Sequence, residues 1–274
     1  MTGTSLDGLD AVLTRIDGEG LAMKATFVRM ASRTFTDELR NTLRSLASSQ
    51  PHPAEDYVRA ARALGEFHAE VIEELLGKRP GEHPGEHPAE PGANEVDFVV
   101  AHGQTILHAG DAHLSWQLFD PWPIVRQWKL PVCYDLRQAD LIAGGQGAPI
   151  TPIADWVMYR NHADHVINLG GIVNITNLDD ECEHVSGGDI GPCNLLIDGL
   201  CKRLCGEPID TDGTCSARGA DFTEAMVWIA DAATTSHDAQ SLGREQFTDA
   251  WLDKLAAMLT EPLVQPGVRR HSIE

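Results

Sequence analysis

The chain has 274 residues, 42% of them apolar, with 21 basic and 41 acidic side chains and a formal net charge of −20. That length predicts one or two domains with sizeable cores, and that charge argues against a nucleic-acid partner, which needs a basic face. No apolar run reaches the roughly 18 residues of a membrane span and no basic-then-apolar leader opens the chain, so the reading is a cytoplasmic protein without a membrane partner.

The chain opens on Gly3-Thr4-Ser5-Leu6-Asp7-Gly8-Leu9-Asp10. Its glycines allow backbone N–H groups to approach a phosphate, its hydroxyls add donors, and Asp7 or Asp10 is placed to hold Mg²⁺, usually through water. An N-cap or an ordinary hairpin loop reads the same residues as well, and the Gly-Lys-Ser/Thr ending of a Walker loop is absent. Residues 9–17 and 21–31 then read as strands about a turn at Asp17-Gly18-Glu19-Gly20. A helix is predicted from Thr36 or Asp37 to about Ser48. A longer one starts at Pro53-Ala54-Glu55, with Tyr57, Ala61, Leu64, Phe67, Val71 and Leu75 on one stripe.

Residues 77–94 read as a low-complexity Pro/Gly loop insertion, whose His83 and His87 could bind metal but read more readily as solvated bystanders. Val96–Ala101 reads as one apolar strand ending at His102, with short strands near 113–118 and 131–134 and a helix from Pro121 to Lys129 between them. Pro152–Arg160 is predicted helical. His165–Leu169 is predicted as a buried strand running into Gly170-Gly171, with Ile172–Leu178 pairing back on it, and helices follow at about 192–205, 219–232 and 247–259. Strands alternating with helices predict an α/β fold.

Five lysines stand against sixteen arginines. Strong acidity with little lysine suggests adaptation to high salt, where screening removes self-repulsion; a merely acidic enzyme is the other reading. The six cysteines, Cys133, Cys182, Cys193, Cys201, Cys205 and Cys215, include no C-x-x-C pair. Zinc is therefore not expected, and free thiols are the default over a disulfide framework.

Four further segments join the opening loop: Ala101-His102-Gly103-Gln104-Thr105-Ile106, Ala143-Gly144-Gly145-Gln146-Gly147-Ala148-Pro149, Ile167 to Ile175 around Gly170-Gly171, and Gly187-Gly188-Asp189-Ile190-Gly191-Pro192-Cys193-Asn194. In this order the five resemble the anhydro-N-acetylmuramic acid kinases, sugar kinases of the actin/Hsp70/hexokinase ATPase superfamily. Lesser matches at Asp135-Leu136-Arg137, Asp210-Thr211-Asp212-Gly213 and Leu242 to Phe247 extend the likeness.

The resemblance implies a two-lobed ATPase fold, with a first lobe at 1–163 and a second, incomplete one at 164–274, each giving a phosphate-facing hairpin. It implies a chain incomplete at both ends, since the family pattern begins with an apolar strand before the Gly-Thr-Ser loop and continues past residue 274. It also implies the reaction: ATP phosphorylates the 6-oxygen of 1,6-anhydro-N-acetylmuramic acid while water opens the anhydro bridge, with Mg²⁺ as cofactor. A homodimer is compatible with it.

By the same resemblance Asp189 is the base that activates water; its other reading is a cap on the helix beginning near residue 192. Gly3, Thr4, Ser5, Leu6, Asp7, Gly8, Leu9 and Asp10, with Gly170, Gly171 and Asn174, face ATP and its phosphates; the two glycines also read as a plain bend in a strand pair. His102, Gln104, Arg137 and Gln146 hold the sugar, Arg137 by pairing the lactyl carboxylate. The chain departs from the family in having Gln138 and Ala139 where further arginines are common, and Phe119 where glycine is common. Two other readings stay open: a same-fold kinase for another amino sugar or anhydrosugar, and a non-catalytic remnant that binds without turning over ATP.

Overall fold

A computed structural model describes residues 6, 8–48, 50–77, 96–218, 226–227, 229 and 247–260. The insertion beyond Gly77, most of the helix expected at 219–232, and the Leu242–Gln246 motif lie outside the described residues, as do Gly3, Thr4, Ser5 and Asp7. The chain divides into two units, Met1–Ile150 and Thr151–Glu274.

The first unit begins with an antiparallel hairpin of β1 (Gly8–Asp17) and β2 (Lys24–Thr34). β2 starts three residues later than the sequence predicts, because Gly20–Ala22 closes the turn as a 3-10 helix. At Gly8 a side chain would run into the Arg33 carbonyl of the facing strand, so glycine is what lets the two strands meet there. Thr36 caps α1 (Asp37–Leu46) by accepting from the Leu39 amide at 3.2 Å.

The long helix α2 (Ala54–Leu76) runs between two apolar clusters. Its Leu64, Phe67 and Val71 pack with Leu9, Phe35 and Leu43 from the hairpin and α1. Ile72, Leu75 and Leu76 pack with Ile124 of α3 (Trp122–Trp128). The predicted stripe is therefore the buried one, and α2 is buried on a second face as well.

The continuous strand expected over 96–101 shrinks to β3 (Val99–Val100), which pairs in parallel with β6 (Val132–Cys133). The backbone then turns at Gly103, φ +77°. It enters β4 (Gln104–Ala109), which the sequence reading missed and which pairs antiparallel with β5 (Leu114–Leu118). The apolar run thus serves one sheet and the segment after His102 another, with the positive-φ glycine at the turn between them. A short helix α4 (Arg137–Ile142), also missed, follows β6.

The second unit starts with α5 (Pro152–Tyr159) and a three-stranded antiparallel sheet of β7 (His165–Leu169), β8 (Ile172–Asn177) and β9 (Ser186–Pro192). β9 was not predicted: Ser-Gly-Gly-Asp-Ile-Gly-Pro has little strand propensity, and its ladder with β8 supplies what propensity lacks. β7 was expected to be buried, yet Ile167 and Leu169 are 56% and 64% exposed. Among the described residues β7 is an edge strand paired with β8 alone, and α5 rests on β8 through Thr176 and Asp155. Helix α6 (Asn194–Leu204) packs against α7 (Asp249–Thr260), where Leu252 lies over Gly199 and Arg203 binds Asp249 and Asp253.

Candidate functional site

In the first unit the β3–β6 pairing sets residues 99–103 beside 131–137. His102 lies just past β3 and Arg137 opens α4. His102 is buried, and Arg137 Nε donates to its Nε2 at 3.2 Å. The Gly103 carbonyl lies 3.1 Å from Nδ1, so Nδ1 carries the proton and Nε2 accepts. Burial, and then the Arg137 charge, hold the His102 pKa below the ordinary imidazole value, which keeps the ring neutral. Arg137 Nη1 also donates to the Gly147 carbonyl at 2.7 Å. One guanidinium thereby ties the His-Gly-Gln segment to the Gly-Gln-Gly loop that carries Gln146.

That loop is folded back on α4 by a residue the sequence reading passed over. Asp140 Oδ2 accepts from the Gly147 amide at 2.7 Å, and a side chain at Gly145 would collide with the Asp140 carboxylate. The available signal was an Asp a few residues before Gly144-Gly145, at the distance from which a side chain can bond the amides of a returning loop. Gly110 rests on the Gln146 backbone from the other side.

Two oxygens near this junction are buried and have no hydrogen-bond partner among the described residues: Gln104 Oε1 and Asp135 Oδ1. Gln104 is 5% exposed, and Asp135 sits in left-handed backbone at φ 57°. Burial also raises the Asp135 pKa above the usual carboxylate value. Buried acceptors are costly unless a donor reaches them. His102, Gln104 and Arg137 are thus gathered, with Asp135 added, and Gln146 lies on the loop that Arg137 holds. Phe119, the departure from family glycine, packs its ring on His68 and Tyr134.

At the hairpin, Leu6 (φ 59°) and Leu9 are buried, while Gly8 and Asp10 are not. Asp10 is exposed and accepts from Ser32 Oγ at 2.6 Å. An exposed carboxylate on a rigid hairpin is a hard oxygen donor of the kind Mg²⁺ takes.

In the second unit, Asn168, Asn174 and Asp189 stand opposite one another on β7, β8 and β9. Directly paired residues on antiparallel strands share a face, so three polar side chains line one rung of the sheet. Thr176, two residues along β8 on that same face, bonds Asp155 of α5 at 2.7 Å. The polar rung therefore lies between the α5 contact and the Gly170-Gly171 turn. Asn168 was not singled out from the sequence; period-two spacing before Gly170 was its signal.

Asp189 does not cap α6. The N-cap position is Cys193, with no side-chain cap bond. The amides of Cys193, Asn194 and Leu195 instead donate to the carbonyls of Gly171, Gly170 and Gly171, at 3.0 to 3.1 Å. These amides need acceptors at any helix start, and the glycine turn provides them, which ties the turn to α6 and leaves Asp189 in the sheet.

A family model described as anhydro-N-acetylmuramic acid kinase matches residues 1–269. The chain belongs to the anhydro-N-acetylmuramic acid kinase family. It is 34% identical over 274 aligned residues to the protein of that name from Bordetella pertussis, covering 97% of this chain and 67% of the relative. A relative of the same name from Rhodopseudomonas palustris is 33% identical, over 92% of this chain and 68% of its own length. One from Shewanella halifaxensis is 31% identical, over 93% and 66%. This family member therefore spans about two thirds of the length of the curated relatives it matches, and none of its described helices is long and apolar enough to cross a membrane.

Proposed function

We propose that this chain carries the chemistry of an ATP-dependent kinase acting on 1,6-anhydro-N-acetylmuramic acid, opening the anhydro ring by hydrolysis and yielding N-acetylmuramic acid 6-phosphate. The observation that carries this reading is the match to the family along nearly the whole chain. We infer with it that the two units correspond to the lobes of an actin/Hsp70/hexokinase-like fold.

The balance of the reaction assigns the roles. A water oxygen bonds to C1 of the sugar as the C1–O6 bond breaks. O6 bonds to the γ-phosphorus as the bond to the ADP oxygen breaks. The proton lost by water goes to a base, for which Asp189 is the candidate: a half-buried carboxylate held in a sheet rung and not used as a cap. Gly170 and Gly171 form the turn beside it, and Asn174 shares its rung, which suits them to the transferring phosphate. Mg²⁺ fits Asp10 by donor type, and when bound it offsets negative charge on the phosphates.

For the sugar, Gln104 and Asp135 offer buried acceptors that hydroxyl and amide N–H groups of an amino sugar would satisfy. Arg137 supplies the cation for a lactyl carboxylate, while its Nε and Nη1 are directed at His102 and Gly147. The test is turnover in isotopically labelled water with ATP and the anhydrosugar. The reading expects ADP, a 6-phosphorylated product, and label in its C1 hydroxyl. Phosphorylation without label at C1 would point to another sugar acceptor, and ATP binding without ADP formation to a binding protein.

A further inference from the structure

The sequence holds no C-x-x-C pair, yet the fold gathers three cysteines. Cys201 and Cys205 stand four residues apart, at the end of α6 and its C-cap, and so share a helix face. Cys215 comes from the loop that follows. The three sulfurs lie within 4.8 Å of one another. No disulfide joins them: all three are free thiols, with Cys201 buried, Cys215 half-buried and Cys205 exposed.

The loop is built to present Cys215. Asp210 accepts from the Cys215 amide through Oδ1 at 2.7 Å and from the Ser216 amide through Oδ2 at 2.9 Å. Between them the chain turns through Thr211–Gly213, with Asp212 at φ 55°. A cavity of about 480 Å³ opens over the cluster, lined by Leu204, Cys205, Glu207, Ile209, Thr214 and Cys215. The sulfurs therefore have both a fixed geometry and a path from solvent.

We propose that Cys201, Cys205 and Cys215 form a three-thiolate site for a thiophilic divalent cation of the zinc class. A Zn–S bond of about 2.3 Å places thiolates about 3.8 Å apart in a tetrahedral site, within reach of small side-chain rotations here. Soft sulfur ligands select such ions over Mg²⁺. Asp210 acts as the outer group that orients one ligand, and the fourth position faces the cavity. The site staples the end of α6 to the Asp210–Cys215 loop, apart from any role in phosphoryl transfer.

The proton balance is definite. Burial pushes the Cys201 thiol up to about 12, and the Cys215 hydrogen bond raises Cys205. Cys201 and Cys205 therefore hold their protons in the metal-free chain, and cation binding, which takes thiolates, releases protons and tightens as pH rises.

The experiment uses the full chain, reduced, with Cd²⁺ as the spectroscopic probe and Zn²⁺ as competitor. The expected result is a thiolate-to-cadmium absorption saturating at about one ion per chain, displaced by Zn²⁺, and lost in Cys201→Ser and in Cys215→Ser. The absorption persists when Cys133, Cys182 and Cys193 are all changed to Ser. Asp210→Asn weakens binding about 10- to 100-fold. A measurement without mutation stands beside it: Zn²⁺ slows alkylation of Cys205 in the unaltered chain and leaves exposed Cys133 unaffected. Absorption that never saturates, absorption that survives Cys215→Ser, or alkylation of Cys205 at the same rate with and without Zn²⁺ overturns the proposal.

Discussion

Arg137 Nε donates to His102 Nε2 at 3.2 Å, and the same guanidinium reaches the Gly147 carbonyl at 2.7 Å. A neutral histidine that accepts from arginine is a proton-sensitive joint: protonating Nε2 sets two cations against each other. Arg137→Ala removes charge-assisted bonds worth about 1.5–3 kcal/mol, so kcat/KM for the anhydrosugar should fall about 10- to 150-fold. The pH profile adds a sharper reading. The Arg137 charge helps to lower the His102 pKa, so the acid-side fall in kcat/KM should begin at higher pH in Arg137→Ala than in the unaltered chain. A profile that does not move would show that the pair is not coupled to sugar recognition.

Asp189→Asn keeps the shape of the Asn168–Asn174–Asp189 rung and removes the proton acceptor. kcat should drop about 10²- to 10⁴-fold, with ATP affinity retained, as measured by steady-state kinetics beside a nucleotide-dependent thermal shift. Retention of more than about a tenth of the turnover, against that expected loss, removes Asp189 from the base role.

The parts of this fold that were legible in the sequence are those where one local rule dominates. Thr36 and the apolar stripe of α2 announced the first two helices, because a cap and a 3.6-residue period act over neighbouring residues. The first hairpin was legible from Gly18 and Gly20. β4, α4 and β9 were not: β4 is a short mixed run, Gln-Thr-Ile-Leu-His-Ala, without clear alternation, α4 is six residues long, and β9 is held by its ladder with β8 rather than by its own residues. The glycine motifs singled out His102 and Gln104 as candidates in the first unit and Asp189 in the second. Asp140, which holds the Gly147 amide, and Asn168, which faces Asn174, were not legible, because they depend on which loop returns and which strand pairs. The thiol cluster was hidden for the same reason, since Cys215 joins α6 only through the Asp210 turn.

Gly65 measures the closeness of α2 and α3. A methyl group at this buried helical position would run into the Asp120 carbonyl and lie 3.1 Å from Pro123 Cγ. Helix propensity alone would favour Gly65→Ala by about 1 kcal/mol. Overpacking costs about 1–3 kcal/mol and acts against backbone here, so the variant should be less stable. Chemical denaturation with an unchanged slope and a lower midpoint would report it; a raised midpoint would mean that α3 can move away at little cost.

The net charge of −20 makes salt a test of composition. If self-repulsion limits stability, the melting temperature should climb as KCl rises from dilute to molar. A flat or falling curve would leave the acidity without an adaptive role.

His68 supplies a pH switch in stability that is separate from the site. It is 5% exposed within α2, its Nδ1 donates to the Leu64 carbonyl at 2.7 Å, and its ring meets Phe119. Burial lowers its pKa to about 4 from an ordinary 6.5. The sign follows from which state binds the proton. Between pH 6.5 and about 4 the unfolded chain protonates His68 and the folded chain does not, so stability is whole above 6.5 and falls as pH drops through that window. The shift corresponds to a loss of about 3 kcal/mol. His68→Phe keeps an aromatic ring against Phe119 and has no proton to bind. Between neutral pH and about pH 4 the unaltered protein should lose about 3 kcal/mol more denaturation free energy than His68→Phe does. Parallel acid losses in both would show that His68 is not the group being titrated.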